Sequence, residues 1–81
     1  MPSRRNEFDS VVRSWPLTYR ATYDSSNNVQ YEGFAINKGA SVASALWLIC
    51  KHTYNSSNFL IQTEWASTTF DQIWNDRENL F

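Results

Sequence analysis

The sequence predicts a mainly β fold: two β-hairpins forming a small antiparallel sheet or half-sandwich, followed by a short C-terminal helix. Three observations predict it. The first is an internal repeat. Arg20-Ala-Thr-Tyr-Asp-Ser-Ser-Asn-Asn-Val-Gln-Tyr-Glu-Gly-Phe-Ala35 is followed, 31 residues on, by Lys51-His-Thr-Tyr-Asn-Ser-Ser-Asn-Phe-Leu-Ile-Gln-Thr-Glu-Trp-Ala66. Six of these 16 aligned positions are identical: Thr22/Thr53, Tyr23/Tyr54, Ser25/Ser56, Ser26/Ser57, Asn27/Asn58 and Ala35/Ala66. The second observation is that apolar and polar residues alternate on both sides of the Ser-Ser-Asn centre, the period of a half-buried strand. The third is a change of period after Ser67. Phe70, Ile73, Trp74 and Arg77 fall at i, i+3, i+4 and i+7, one face of a helix.

Taken in order, residues 1–14 read as an N-terminal arm. Arg4 and Arg5 supply its charge, and it is expected to reach a neighbouring protein. Phe8, Val11 and Val12 are spaced for one helical turn, which must stop by Ser14 because Pro16 forces Trp15 into extended geometry. Residues 15–81 form a single small β domain. In its first hairpin, 15–36, Trp15, Leu17, Tyr19, Ala21 and Tyr23 form one apolar face. Asp24–Asn28 is a turn, because Asp and Asn side chains imitate turn hydrogen bonds and Asn tolerates positive φ. The second strand runs over 29–36, and Gly33 within it marks a bulge or the close approach of another backbone.

Asn37-Lys38-Gly39 ends that strand, and residues 40–45 form a small-residue connection. A lone Gly with no following Gly-Lys-Ser/Thr is not a phosphate-binding loop. The second hairpin spans 45–66. Its first strand is apolar on both faces, with Leu46, Leu48 and Cys50 on one and Trp47 and Ile49 on the other, so it is central or meets a partner. Asn55–Asn58 repeats the turn, and the fourth strand carries Phe59, Ile61 and Trp65 on one face. Ser67, Thr68 and Thr69 offer N-cap chemistry for a helix over about 69–78, with Asp71 in its first turn. Leu80 and Phe81 leave an apolar tail, which an assembly would bury.

Composition narrows the function. A domain of 81 residues has a marginal core, for which oligomerisation is a common remedy. Its 13 aromatic residues partly offset the small size. A net charge of −1, with Arg20, Lys38 and Lys51 the cations of the sheet region, gives nucleic acid and anionic membrane nothing to bind. One cysteine cannot form an internal disulfide, and no apolar run approaches the ~20 residues of a membrane span.

Candidate chemistry is sparse. Cys50 and His52 share one strand face, but two donors do not make a zinc site and the chain has no second His or Cys. Neither metal nor cofactor is therefore expected. A Cys–His nucleophile also needs a third, orienting group, which sequence proximity does not provide. Asp24, Glu32, Glu64, Asp71, Asp76 and Glu78 are scattered, with no pair placed across a cleft. No catalytic residue is expected, and the chain reads as a non-enzyme. Trp47 or Trp65, if exposed, could stack on sugar rings without needing charge.

Tyr23-Asp-Ser-Ser-Asn-Asn-Val-Gln-Tyr-Glu-Gly-Phe-Ala35, Trp47-Leu-Ile-Cys-Lys51, Trp65-Ala66, Phe70-Asp71 and Trp74-Asn-Asp-Arg77 together resemble small structural proteins of tailed bacteriophages. The resemblance covers residues 22–77 and its motifs are structural. It implies a virion component at the capsid, neck or tail, present in symmetric copies that contact one another and other virion proteins. On that reading Trp47, Ile49, Trp65, Trp74, Arg77 and Phe81 are expected in the core or at subunit contacts. The alternative is a fibre or tip module that stacks host glycans on exposed aromatics. Where the repeat copies differ (Tyr31/Gln62, Gly33/Glu64, Asn28/Phe59), they are expected to face different neighbours.

Overall fold

The computed structural model describes residues 17–81, so the arm with Arg4 and Arg5, and the start of the first strand at Trp15, lie outside the described residues. The chain is mainly β. Strands β1 (Thr18–Tyr23), β2 (Val29–Ala35), β3 (Ala45–Tyr54) and β4 (Leu60–Trp65) form an antiparallel sheet in sequence order. A two-residue strand, β5 (Gln72–Ile73), pairs with β3, and a 3₁₀ helix (Trp74–Asn79) follows it. Of the two architectures expected, the single sheet is the one that forms.

The repeat folds twice into the same hairpin. In the first copy the Asn27 N–H donates to the Asp24 carbonyl (3.0 Å), and the Asp24 N–H donates to the Asn28 carbonyl (2.9 Å). Asp24 Oδ1 accepts from the backbone of Ser26 and Asn28 at 2.8 and 3.0 Å. In the second copy Asn55 makes the same four bonds with Ser57, Asn58 and Phe59, at 2.9 to 3.0 Å. Asn27 and Asn58 take φ of 64° and 66°, a conformation that Asn tolerates because its short polar side chain bonds locally. Five of the six cross-strand pairs of the first hairpin recur 31 residues later, among them Tyr19↔Phe34 as Cys50↔Trp65, Ala21↔Glu32 as His52↔Thr63 and Thr22↔Tyr31 as Thr53↔Gln62. Both ladders slip at the same place, between Thr22 and Tyr23 and between Thr53 and Tyr54. The two turns meet through a 3.0 Å bond from Asn28 Nδ2 to Asn58 Oδ1.

One face of the sheet is covered and the other is open. On the covered face Tyr31, Ala35, Trp47 and Ile49 form the core with Trp74, and Ala40, Val42, Ala66 and Leu80 pack against it. Trp47 is completely buried, its indole N–H donating to the Ser41 carbonyl at 2.9 Å and its ring 5.8 Å from that of Trp74. Gly33 is the place where the Trp74 ring lies on the sheet. A Cβ there would stand 2.5 Å from Trp74 Cε3 and 3.0 Å from Trp47 Cε3. The expected close approach is therefore an indole ring, not a backbone.

Two expectations are corrected. The helix predicted over 69–78 begins only at Trp74, because residues 72–73 take a strand partner instead. β3 is ten residues long while β4 pairs only with Cys50–Tyr54, so Ala45 and Trp47 offer free backbone that Gln72 and Ile73 occupy. The Ser67 hydroxyl, donating to the Asp71 carboxylate at 2.7 Å, holds the preceding loop out of helical geometry. Leu46 sits where the β3–β5 ladder slips and packs on the core, not beside Leu48. The apolar face of β1 lies on the open side of the sheet, where Leu17, Tyr19 and Tyr23 are exposed.

Candidate functional site

The open face carries the chemistry. Glu32 lies directly opposite Cys50 across the β2–β3 ladder, and His52 is two residues further along β3 on the same side. A diagonal cross-strand neighbour is within reach of long side chains, so the Glu32 carboxylate contacts His52 as well. The His52 Nε2 bonds to Glu32 Oε1, and the Tyr19 hydroxyl donates to Glu32 Oε2. The Thr63 Oγ1 stands 2.7 Å from His52 Nδ1. The Cys50 Sγ lies 3.7 Å from His52 Nε2 and 4.0 Å from Glu32 Oε1. A five-residue polar cluster thus sits beside a row of aromatic rings. Tyr19 packs 5.3 Å from Phe34, and Phe34 packs 6.1 Å from Trp65.

The electrostatics of the cluster follow from this crowding. Partial burial pushes the Glu32 carboxyl up, but the hydrogen bonds from Tyr19 and His52 outweigh it and hold the group below its ordinary range. Burial, reinforced by the Glu32 charge, pushes the Cys50 thiol up to about 11. Partial burial and the bond to Glu32 also push the Tyr19 phenol up. A catalytic cysteine needs the opposite shift, a thiolate stabilised near neutral pH. Here the imidazole Nε2 is held by the carboxylate, so the cluster is a carboxylate–imidazole pair with a protonated thiol beside it.

The sequence reading found Cys50 and His52 and missed Glu32, which stands 18 residues before Cys50. A signal was present. In an antiparallel pair joined by a loop, the partner follows from register, and the covered face of Gly33 and Ala35 opposite Trp47 and Ile49 fixes that register.

The residues expected in the core or at contacts are divided between the two faces. Trp47, Ile49 and Trp74 are buried on the covered face. Arg77 is half-buried with its guanidinium 4.7 Å above the Trp74 ring, and its Nη1 donates to the Trp74 carbonyl at 3.2 Å. Phe81 is partly exposed and lies 5.9 Å from the Tyr31 ring. Trp65 is 51% exposed on the open face. Trp47, burying its whole surface, cannot stack on a sugar, which leaves Trp65 of the two candidates for that role. A polar cavity of about 400 Å³ opens beside the cluster at the turn end, lined by Asp24, Gln30, Lys51, His52, Tyr54 and Asn58 among others. No helix among the described residues is long and apolar enough to cross a membrane.

Comparison with protein-family models, curated protein sequences and solved structures finds no match to this chain.

Proposed function

We propose that this chain is a non-enzymatic structural component of a bacteriophage virion, at the capsid, neck or tail. It assembles by symmetric contacts with copies of itself and with other virion proteins. The observation that supports assembly most is β4. All six of its residues are exposed, and with Phe59 just before it the strand presents Leu60, Ile61 and Trp65 to solvent, all four of these side chains more than half exposed. It is an edge of the sheet, with a row of unpaired backbone groups on its outer side. Exposed apolar side chains on a free edge form a surface that a partner would cover. The placement in a virion is carried by the sequence motifs of residues 22–77 and by no contact in the structure.

Sedimentation of the full chain at micromolar concentration tests the assembly. A defined oligomer is expected, shifting toward monomer in Ile61→Lys with the β signature in circular dichroism unchanged. A folded monomer at every concentration that also fails to bind virion proteins overturns it. Mass spectrometry of purified particles tests the location.

A second reading, a fibre or tip module for host glycans, rests on the half-exposed Trp65 beside Phe34 and the polar cavity. Glycan-array binding lost in Trp65→Ala, with assembly intact, would favour it.

A further inference from the structure

We propose that Glu32, Cys50 and His52 form a binding site for one borderline-soft divalent transition-metal ion, Zn²⁺ being the type, on the open face of the sheet. The proposal is independent of assembly and of the virion reading.

The donor set argues for the metal class. A carboxylate oxygen, a thiol sulfur and an imidazole nitrogen converge with all three donor atoms within 4.8 Å of one another. Sulfur with imidazole suits zinc and its neighbours and disfavours Ca²⁺ and Mg²⁺, which require oxygen donors. Zinc bonds of about 2.0–2.3 Å at tetrahedral angles place donor atoms about 3.3–3.6 Å apart. The Sγ–Nε2 separation of 3.7 Å already meets that spacing, and Sγ–Oε1 at 4.0 Å is a few tenths beyond it. The His52–Glu32 contact is tighter than a tetrahedral edge and opens by rotation of the Glu32 carboxylate, the longest and least confined of the three side chains. A thiolate and a carboxylate around a divalent ion also leave the site electrically neutral.

The second argument is the imidazole's far side. A metal-bound histidine almost always bonds through its other ring nitrogen to a fixed oxygen, which sets tautomer and ring plane. Thr63 Oγ1, 2.7 Å from His52 Nδ1, is placed for that role, with Nε2 aimed at the cluster. Thr63 comes from β4, so three strands contribute. Tyr19, bonded to the other oxygen of Glu32, orients the carboxylate. Binding balances simply: the Cys50 thiol releases its proton to solvent, the proton on Nε2 of the neutral imidazole is replaced by one on Nδ1, which then donates to Thr63, and no electron moves.

The test uses the full chain without a histidine tag, since Cys50 and His52 are the only Cys and His present. Zn²⁺ retained at one ion per chain after gel filtration is expected, with about one proton released per ion at neutral pH. Co²⁺ substitution should give a sulfur-to-cobalt charge-transfer band, assignable to Cys50 alone, and the d–d bands of a tetrahedral site. Cys50→Ser and His52→Gln should lose both, and Thr63→Val should weaken affinity about tenfold. Absence of the cobalt–sulfur band in the wild-type chain overturns the proposal. So does zinc retention that is the same in Cys50→Ser, His52→Gln and wild type. Should either ligand variant fail to fold, the wild-type cobalt spectrum and the Thr63→Val titration decide.

Discussion

The two hairpins of this chain share a turn, a register and a slip in the ladder, yet β2 is buried at alternate positions and β4 is exposed throughout. The difference teaches that hairpin shape and hairpin burial are set at different levels. Shape follows from the Asp/Asn-Ser-Ser-Asn code, whose side chain and backbone bonds are complete within five residues. Burial follows from where Trp74 and the loop residues Ala40 and Val42 come down. They cover β2 and β3, and β4 lies outside them. The aligned residues record this: Tyr31 and Gly33, buried, correspond to Gln62 and Glu64, exposed. The divergence of the copies on that face is accounted for by the cap over one of them, without invoking separate neighbours.

The largest test of that contrast is Gly33→Ala against Glu64→Ala. A methyl at residue 33 drives into the Trp74 ring and should cost about 1–3 kcal/mol, as overpacking does. The equivalent change at residue 64 should stay within about 0.5 kcal/mol. Urea denaturation measures both, and equal effects would break the contrast.

Next come the turns, where the hairpins should behave alike. Asp24→Ala and Asn55→Ala each remove two bonds from a side chain to backbone N–H groups and should each cost about 1–2 kcal/mol. A large inequality would mean that tertiary contacts, not the local code, hold one turn. Smaller still, Asn27→Gly and Asn58→Gly relieve a left-handed residue while adding unfolded-chain entropy. Thermal melts should show shifts of equal sign, about a few tenths of a kcal/mol each.

The smallest effect separates the loops that follow the hairpins. After β2, the Thr18 hydroxyl accepts from the Gly39 N–H at 2.7 Å and donates to the Asn37 carbonyl at 2.8 Å, without a titrating group. After β4, the loop relies on Asp71, whose carboxyl is held below its ordinary range first by the Ser67 hydroxyl. A depressed carboxylate pKa contributes stability present above the unfolded value and lost as pH falls through the folded one. Acid should therefore loosen residues 66–71 before residues 36–44, read by amide exchange, and Asp71→Asn should remove the difference.

Much of this was legible. The repeat announced both hairpins and their turns, and the two-sided apolar run at 46–50 announced a central strand. The helix was misplaced because Phe70, Ile73, Trp74 and Arg77 carry a helical period. That period cannot register that β3 outruns β4 and offers Gln72 and Ile73 a backbone to pair with. Cys50 and His52 were visible as neighbours by period two. Glu32 was not, because its place follows only from the register between the two hairpins and not from the pattern of either strand alone.

The sequence by itself determined what is closed within a few residues: turn bonds, strand period, and the positive φ at Asn27 and Asn58. The tertiary structure alone decided which face was covered and which donors met. Trp74 reaches Gly33 across 41 residues, and Glu32 reaches His52 across 20. Contacts at such separations come from the summed burial of the sheet, a non-directional force that no single residue specifies.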